Sequence, residues 1–135
     1  MADFSQTSTS VIPGSNARRV GATCAETIAA GKILYKTTGG LAGLADANAA
    51  GKTVVWGYAE QGGAVNQKIN VITRDDNANL GITFAVGDIG VLSGTAGGIA
   101  PLADIASGMT VTSLGVAKTT STFNFNPTTG GEVAA

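Results

Sequence analysis

The stretch Gly39-Gly40-Leu41-Ala42-Gly43-Leu44-Ala45-Asp46 returns without a gap as Gly97-Gly98-Ile99-Ala100-Pro101-Leu102-Ala103-Asp104, with Gly98 standing 58 residues after Gly40. The match extends both ways. Upstream, Thr27-Ile28-Ala29-Ala30-Gly31 pairs with Thr83-Phe84-Ala85-Val86-Gly87; downstream, Gly51, Thr53 and Val54 pair with Gly108, Thr110 and Val111, and Gly57-Tyr58-Ala59 pairs with Gly115-Val116-Ala117. One unit therefore occurs twice. A solenoid needs three or more copies, so two copies pack together as halves of one body. The repeat also rules on residues 42–50, which are alanine-rich enough to pass for a helix. Their counterpart carries Pro101 in place of Gly43, and proline is hostile to a helix interior, so both segments read as loop or turn. Two residues separate Val54 from Gly57, but three separate Val111 from Gly115. The extra residue predicts a β-bulge near Thr112-Ser113, after which Leu114 and Val116 take the inner face.

Around the repeat lie short runs rich in β-branched side chains and punctuated by glycine: 32–36 (KILYK), 53–56 (TVVW), 68–73 (KINVIT), 81–84 (GITF), 89–92 (IGVL) and 110–112 (TVT). Runs of this length and composition are strands. Thr122-Phe123-Asn124-Phe125-Asn126 alternates strictly, placing both phenylalanines on one face, and Pro127 ends it. The fold class that follows is all-β, a single β-sandwich or barrel, jelly-roll-like, built from two similar β-rich halves. Residues 1–17 show no sustained period and contain Pro13-Gly14, so they read as a flexible N-terminal arm; 18–127 is the β-sandwich domain, and 128–135, with Gly130-Gly131, a loose C-terminal tail.

Composition narrows the chemistry. At 135 residues the chain makes one domain, and 20 glycines with 5% aromatic and 13% charged residues make it a body of small side chains. A net charge of −1 supplies no positive field to hold nucleic acid by counterion release. The chain contains no histidine, so it lacks the usual general base near neutral pH, the commonest metal ligand and half of any Ser-His or Cys-His pair. Cys24 is the sole cysteine, which leaves no intrachain disulfide. No apolar run approaches the roughly 20 residues that span a bilayer, and Met1 to Ser10 has neither the basic nor the apolar region of a signal peptide. The expectations are a protein made and used inside a cell or in a particle assembled there, with no enzymatic activity, cofactor, metal, nucleic acid, membrane or small-molecule substrate.

Each motif that suggests chemistry has a plainer reading. Gly51-Lys52-Thr53 ends like a P-loop, but the first glycine of that motif is replaced by Asp46 and the residues that follow are strand-like, so a turn entering a strand fits better. Asp75-Asp76-Asn77-Ala78-Asn79 offers oxygen ligands, yet the sixth position of a calcium loop would be Leu80 where glycine is required, and a polar hairpin tip between strands is expected. Asp46 and Asp104 occupy equivalent places; a carboxylate that accepts backbone N–H bonds two residues on explains the pair without acid/base catalysis. Cys24 lacks a neighbouring base and reads as a small buried hydrophobe. Trp56 and Tyr58 alternate in a strand and offer a carbohydrate-stacking platform, although Val116 at the place of Tyr58 favours ordinary packing. Arg18-Arg19 is the only adjacent basic pair, either solvated or anchored to acidic groups on a partner.

A chain this rich in glycine and alanine buries little area per residue, and its mean hydropathy of +0.24 with few charges indicates surface covered by assembly. The segments 27–35 (TIAAGKILY) and 90–108 (GVLSGTAGGIAPLADIASG), followed by Leu114-Gly115-Val116-Ala117, resemble the small capsid decoration proteins of tailed bacteriophages, the cement or head-stabilising proteins. The likeness spans about residues 20–126 and rests on turn and strand consensus. It implies a β-sandwich on the outer surface of the virion capsid, assembled in the host cytoplasm, a homodimer or homotrimer that clamps neighbouring major capsid protein subunits. Phe4, Val11, Ile12, Arg18 and Arg19 are the candidate capsid-binding residues, docking through the arm. Two other classes stay open: another virion part such as a head fibre base or tail component, and a carbohydrate-binding or adhesive β-domain using Trp56 and Tyr58.

Overall fold

The computed structural model describes residues 3–105, 108–127 and 132–133. In chain order the strands are β1 (Val11–Ile12), β2 (Arg18–Thr23), β3 (Ile33–Lys36), β4 (Ala42–Leu44), β5 (Gly57–Ala59), β6 (Lys68–Leu80), β7 (Ile89–Leu92), β8 (Ile99–Pro101), β9 (Thr110–Val111), β10 (Ser113–Ala117), β11 (Phe123–Phe125) and β12 (Glu132–Val133). Ten of them form one antiparallel sheet in the order β4-β3-β5-β6-β11-β10-β7-β8, with β1 and β2 also pairing with β6; β9 and β12 form a separate pair. The sheet is strongly curled into a half-barrel, the all-β architecture expected from the short glycine-bounded runs.

The sequence duplication is visible in the strand order, which reads alike from both ends. A hairpin and a third strand, β4-β3-β5, mirror a second hairpin and third strand, β8-β7-β10, on either side of β6 and β11. Individual hydrogen bonds repeat as well. Gly31 N–H donates to the Ala59 carbonyl at 2.7 Å and Ala59 N–H to Lys32 at 3.0 Å; Gly87 N–H donates to Ala117 at 2.9 Å and Ala117 N–H to Asp88 at 2.8 Å. Gly31 and Gly87 both take φ values in the left-handed region, 83° and 88°, which glycine adopts without a steric penalty. Continuing the offset that carries Thr27 to Thr83 maps β2 onto residues 74–79 of β6. The long strand thus serves both units: its first half closes the first unit against β2, and its second half opens the second unit against β11.

Two bulges make this possible. Against β2, Arg18 faces Arg74 while Arg19 faces Ile72, leaving Thr73 extra; against β11, Phe123 faces Ala78 while Phe125 faces Asp75, leaving another extra residue. Each insertion flips the pleat and increases the twist. Ile72, Asp75 and Ala78, three residues apart, are consequently all buried. The polar tip expected at 75–79 is therefore not a turn but the second half of a thirteen-residue strand, with Asp76 and Asn77 exposed on the bulge.

Other boundaries also move. Residues 53–56 are not a strand: Val55 is buried, but the ladder begins at Gly57, where a Cβ would overlap the Ile72 carbonyl. Residues 81–84 are not a strand either; Ile82 and Phe84 are buried from an irregular segment in which Phe84 N–H bonds Thr120. Conversely, Ala42–Leu44 and Ile99–Pro101 are strands, the second followed by one 3-10 turn, Leu102–Asp104, and Pro101 is tolerated at the end of a terminal strand. The irregularity expected near Thr112-Ser113 lies between Ser113 and Gly115. Gly115, at φ 142°, turns Val116 outward while Leu114 and Ala117 stay buried, so Leu114 and Val116 do not share the inner face.

The first unit is covered on both faces. Ile33, Tyr58 and Ile72 join the larger core with Leu114, Phe123 and Phe125, whereas their chain neighbours Leu34, Ala59 and Val71 join a second core with Cys24, Ile28 and Ile69. Both phenylalanines of the alternating run are buried and Asn124 is exposed, as the alternation requires.

The segment expected to leave the body as a flexible arm lies on it. Phe4 N–H bonds the Ile99 carbonyl at 2.9 Å, Thr7 N–H bonds Gly81 at 2.8 Å, β1 pairs with Leu80 and Asn79, and the Phe4 ring packs edge-on against Phe84 at 5.1 Å. Phe4 and Val11 are the apolar anchors, sparse enough that the polar residues between them dominate the sequence pattern. Of the expected C-terminal tail, residues 128–131 and 134–135 lie outside the described residues; Glu132–Val133 pair with β9.

Candidate docking surface

The most constrained polar group of the fold is the buried carboxylate of Asp75. Its Oδ2 accepts a hydrogen bond from the Tyr58 hydroxyl at 2.7 Å and from Gly14 N–H at 2.9 Å, and its Oδ1 accepts from Asn77 N–H at 3.1 Å. A buried carboxyl without such donors would cost several kcal/mol, so the three bonds permit its burial and join β5, β6 and the segment between β1 and β2. Burial first, and then the bond to and charge of Asp75, raise the pKa of Tyr58 well above the ordinary phenol value, keeping it a donor. Glycine is required at position 14, where a Cβ would stand 2.6 Å from Asp75 Oδ1 and 2.8 Å from the Asn77 carbonyl. This node fixes residues 11–23 along β6.

What it presents is the free edge of β2, whose residues Arg18 to Gly21 are exposed. The direction of its backbone groups follows from its neighbour. Asn70, opposite Gly21, gives its carbonyl to Glu60 N–H at 3.0 Å and its N–H to Gln61 Oε1 at 3.2 Å, so both point away from β2. Opposed residues in an antiparallel pair either exchange both bonds or none. Gly21, and by alternation Arg19, therefore turn N–H and C=O away from β6, while Cys24, in the same register, donates to Gln67 at 2.8 Å. Among the described residues the outward edge is occupied at its far end, where Cys24 and Ala42 form a parallel bridge and Ala25 N–H bonds the Ala42 carbonyl at 2.8 Å. Beside Gly21 lies a hollow of about 530 Å³ walled by Thr23, Gln61, Lys68 and Asn70. Arg19 Nε donates to Glu60 Oε1 at 2.8 Å, and that bond with the glutamate charge raises the arginine pKa further.

The five candidate contact residues divide. Phe4 and Val11 are partly buried against their own core. Ile12 is 62% exposed, and Arg18 and Arg19 are exposed on β2, Arg19 tied to Glu60. Sequence reasoning missed the role of Gly14, the bond between Tyr58 and Asp75, and the β2 edge. The one available signal for the edge was the correspondence of Arg18-x-x-x-Ala22 with Arg74-x-x-x-Ala78 at the repeat offset.

The remaining motifs resolve locally. Asp46 Oδ1 accepts Asn48 N–H at 2.8 Å, the turn contact expected of it. Gly51 adopts φ 81° in a turn that leads into irregular chain rather than a strand. Cys24 is buried, and burial raises its thiol pKa. Trp56 and Tyr58 do not form a platform: Tyr58 is fully buried, and Lys36 Nζ lies 5.2 Å from the Trp56 ring centroid.

The chain matches no protein-family model, no curated protein and no solved structure.

Proposed function

We propose that this chain is a structural virion protein that decorates the outer surface of a tailed-phage capsid and stabilises it by linking neighbouring major capsid protein subunits. The observation that carries the reading is the open edge of β2, a row of outward backbone donors and acceptors beside two arginines through which the subunit can assemble, backed by the Asp75 node. Rigid presentation lowers the ordering cost of a strand from another subunit that pairs there. The segments that resemble decoration proteins supply the framework: residues 27–35 lead into β3, residues 90–108 span most of β7 and all of β8, and residues 114–117 lie in β10. Stabilisation would come from multivalency, since an oligomer on several subunits detaches only when all contacts break together.

Cryo-EM and mass spectrometry of particles from the phage encoding the chain, with and without its gene, test this. The expected result is density on the outer shell face at regular lattice positions, absent from the deletion particles, which rupture at lower temperature. Density confined to a head fibre base or the tail, or absence of the chain from purified particles, overturns it.

A further inference from the structure

We propose that two copies of the chain pair antiparallel through the outward edge of β2, with Val20 on the two-fold axis and the Arg19 side chain of each copy lying over Gly21 of the other. The proposal deepens the decoration reading by naming the surface through which the subunit self-associates.

The internal repeat shows what the edge is shaped to take. In the second unit the equivalent strand edge, along residues 74–81, is covered by segment 7–14, a 3-10 turn (Ser8–Ser10) followed by β1: Thr7 N–H bonds the Gly81 carbonyl, β1 pairs with Leu80 and Asn79, and Gly14 N–H bonds the Asp75 side chain. On the first unit nothing among the described residues takes that place along Arg19 and Gly21. An unpaired strand edge is a template for another strand.

Gly21 indicates the occupant. Its φ is not in the left-handed region, and a Cβ built there would meet nothing within 4 Å, so neither backbone conformation nor intrachain packing calls for glycine. Glycine within a strand is destabilising relative to alanine and marks a bulge, a tight bend or the close approach of another backbone; the bulge of β2 lies at Arg18–Arg19 rather than at Gly21, which leaves close approach. Opposed residues of an antiparallel pair share a face, so a two-fold axis perpendicular to the sheet passes between a residue and its own copy. With Val20 there, Arg19 opposes Gly21 and Arg18 opposes Ala22. No arginine faces an arginine, and two exposed valines, each 43% accessible, cover one another. The groups that turn outward, those of Arg19 and Gly21, become the groups that exchange four backbone bonds. The missing side chain of Gly21 leaves room for the opposing Arg19, whose guanidinium exchanges its bond to its own Glu60 for the hollow beside Gln61 and Asn70 of the other copy. This register also keeps the pairing clear of the Ala25–Ala42 contact.

The test is sedimentation equilibrium of the full chain and of Gly21→Val, with amide hydrogen exchange on the wild type over a dilution series. The expected wild-type mass is twice 13.3 kDa, with the Gly21 and Arg19 amides protected when concentrated and fast when dilute. Gly21→Val places a Cβ where nothing of the same chain lies within 4 Å, narrows the space for the opposing Arg19, and should sediment at 13.3 kDa with an unchanged circular dichroism spectrum and a melting temperature at or above wild type. A monomeric wild type, an oligomer unaffected by the substitution, or Gly21 and Arg19 amides that exchange freely at every concentration overturns the proposal; the exchange series decides even if the variant fails to fold. A monomeric wild type whose shell occupancy falls with Gly21→Val would assign the edge to a capsid segment instead and also overturns it. A dimer broken by Gly21→Val in a chain absent from virions would sustain the pairing while defeating the decoration reading.

Discussion

Tyr58→Phe removes one hydroxyl and leaves every carbon contact in place, including the edge-on packing of the ring on Phe125 at 5.0 Å. The bond lost is the 2.7 Å donation to the buried Asp75 carboxylate. Hydrogen bonds to charged groups contribute about 1.5–3 kcal/mol, and because Gly14 and Asn77 still donate to the same carboxylate, the expected loss near neutral pH is about 2 kcal/mol. For a domain of this size that corresponds to a fall of roughly 8 °C in melting temperature. The pH dependence is more diagnostic. The folded Tyr58 pKa is raised above its ordinary value of 10.0. Above about pH 10 the unfolded phenol therefore loses its proton while the folded one keeps it. The contribution is fully present below that pH, and the wild type loses about 1.4 kcal/mol per pH unit beyond it. Tyr58→Phe lacks this term, so urea unfolding of both proteins from neutral pH to about pH 11 should show the stability gap narrowing only on the alkaline side. A variant within about 0.5 kcal/mol of wild type at neutral pH, with parallel alkaline limbs, would refute the idea that this hydroxyl holds the carboxylate in place.

Gly14→Ala drives a Cβ against Asp75 and Asn77 and should cost about 1–3 kcal/mol, with hydrogen exchange faster across residues 11–23 than in β3. Phe4→Ala removes the ring packed on Phe84 and should cost about 2 kcal/mol by denaturant titration; deletion of residues 1–17 should lower the melting temperature further rather than leave an intact body. Cys24 should react with a thiol reagent slowly in the native protein and with one equivalent per chain once unfolded, because burial both hides the sulfur and disfavours its thiolate. Gly115→Ala, at φ 142° with the new Cβ overlapping the Asn124 carbonyl, should yield little soluble protein; normal expression with a native melt would contradict the strain assigned there.

The duplication was legible because it acts locally. Glycines at equivalent hairpin turns and the alanines that close each unit are fixed by backbone conformation and tight packing, which residue identity records directly. The alternating phenylalanines of β11 were legible for the same reason. β6 was not, because strand reading assumes a period of two, and two bulges convert the spacing of Ile72, Asp75 and Ala78 to three. Polarity then misassigned 75–79, since the burial of Asp75 depends on a hydroxyl 17 residues away and an amide 61 residues away. The N-terminal segment failed similarly: Phe4 and Val11 dock through long-range contacts, and the residues between them carry no periodic signal. β2 was obscured by Gly21 and Ala22, which have little strand propensity, and its role as a free edge is a property of what does not lie beside it.

Because one uninterrupted strand finishes the first copy of the repeat and begins the second, the copies have no seam. A break in the middle of residues 68–80 would part the ladder of the first unit from that of the second, so the halves are not tandem modules on a linker. Duplication here has produced a single cooperative object with one spine. A pull applied along that spine loads the hydrogen bonds of both units in shear, as the decorating role proposed above would require.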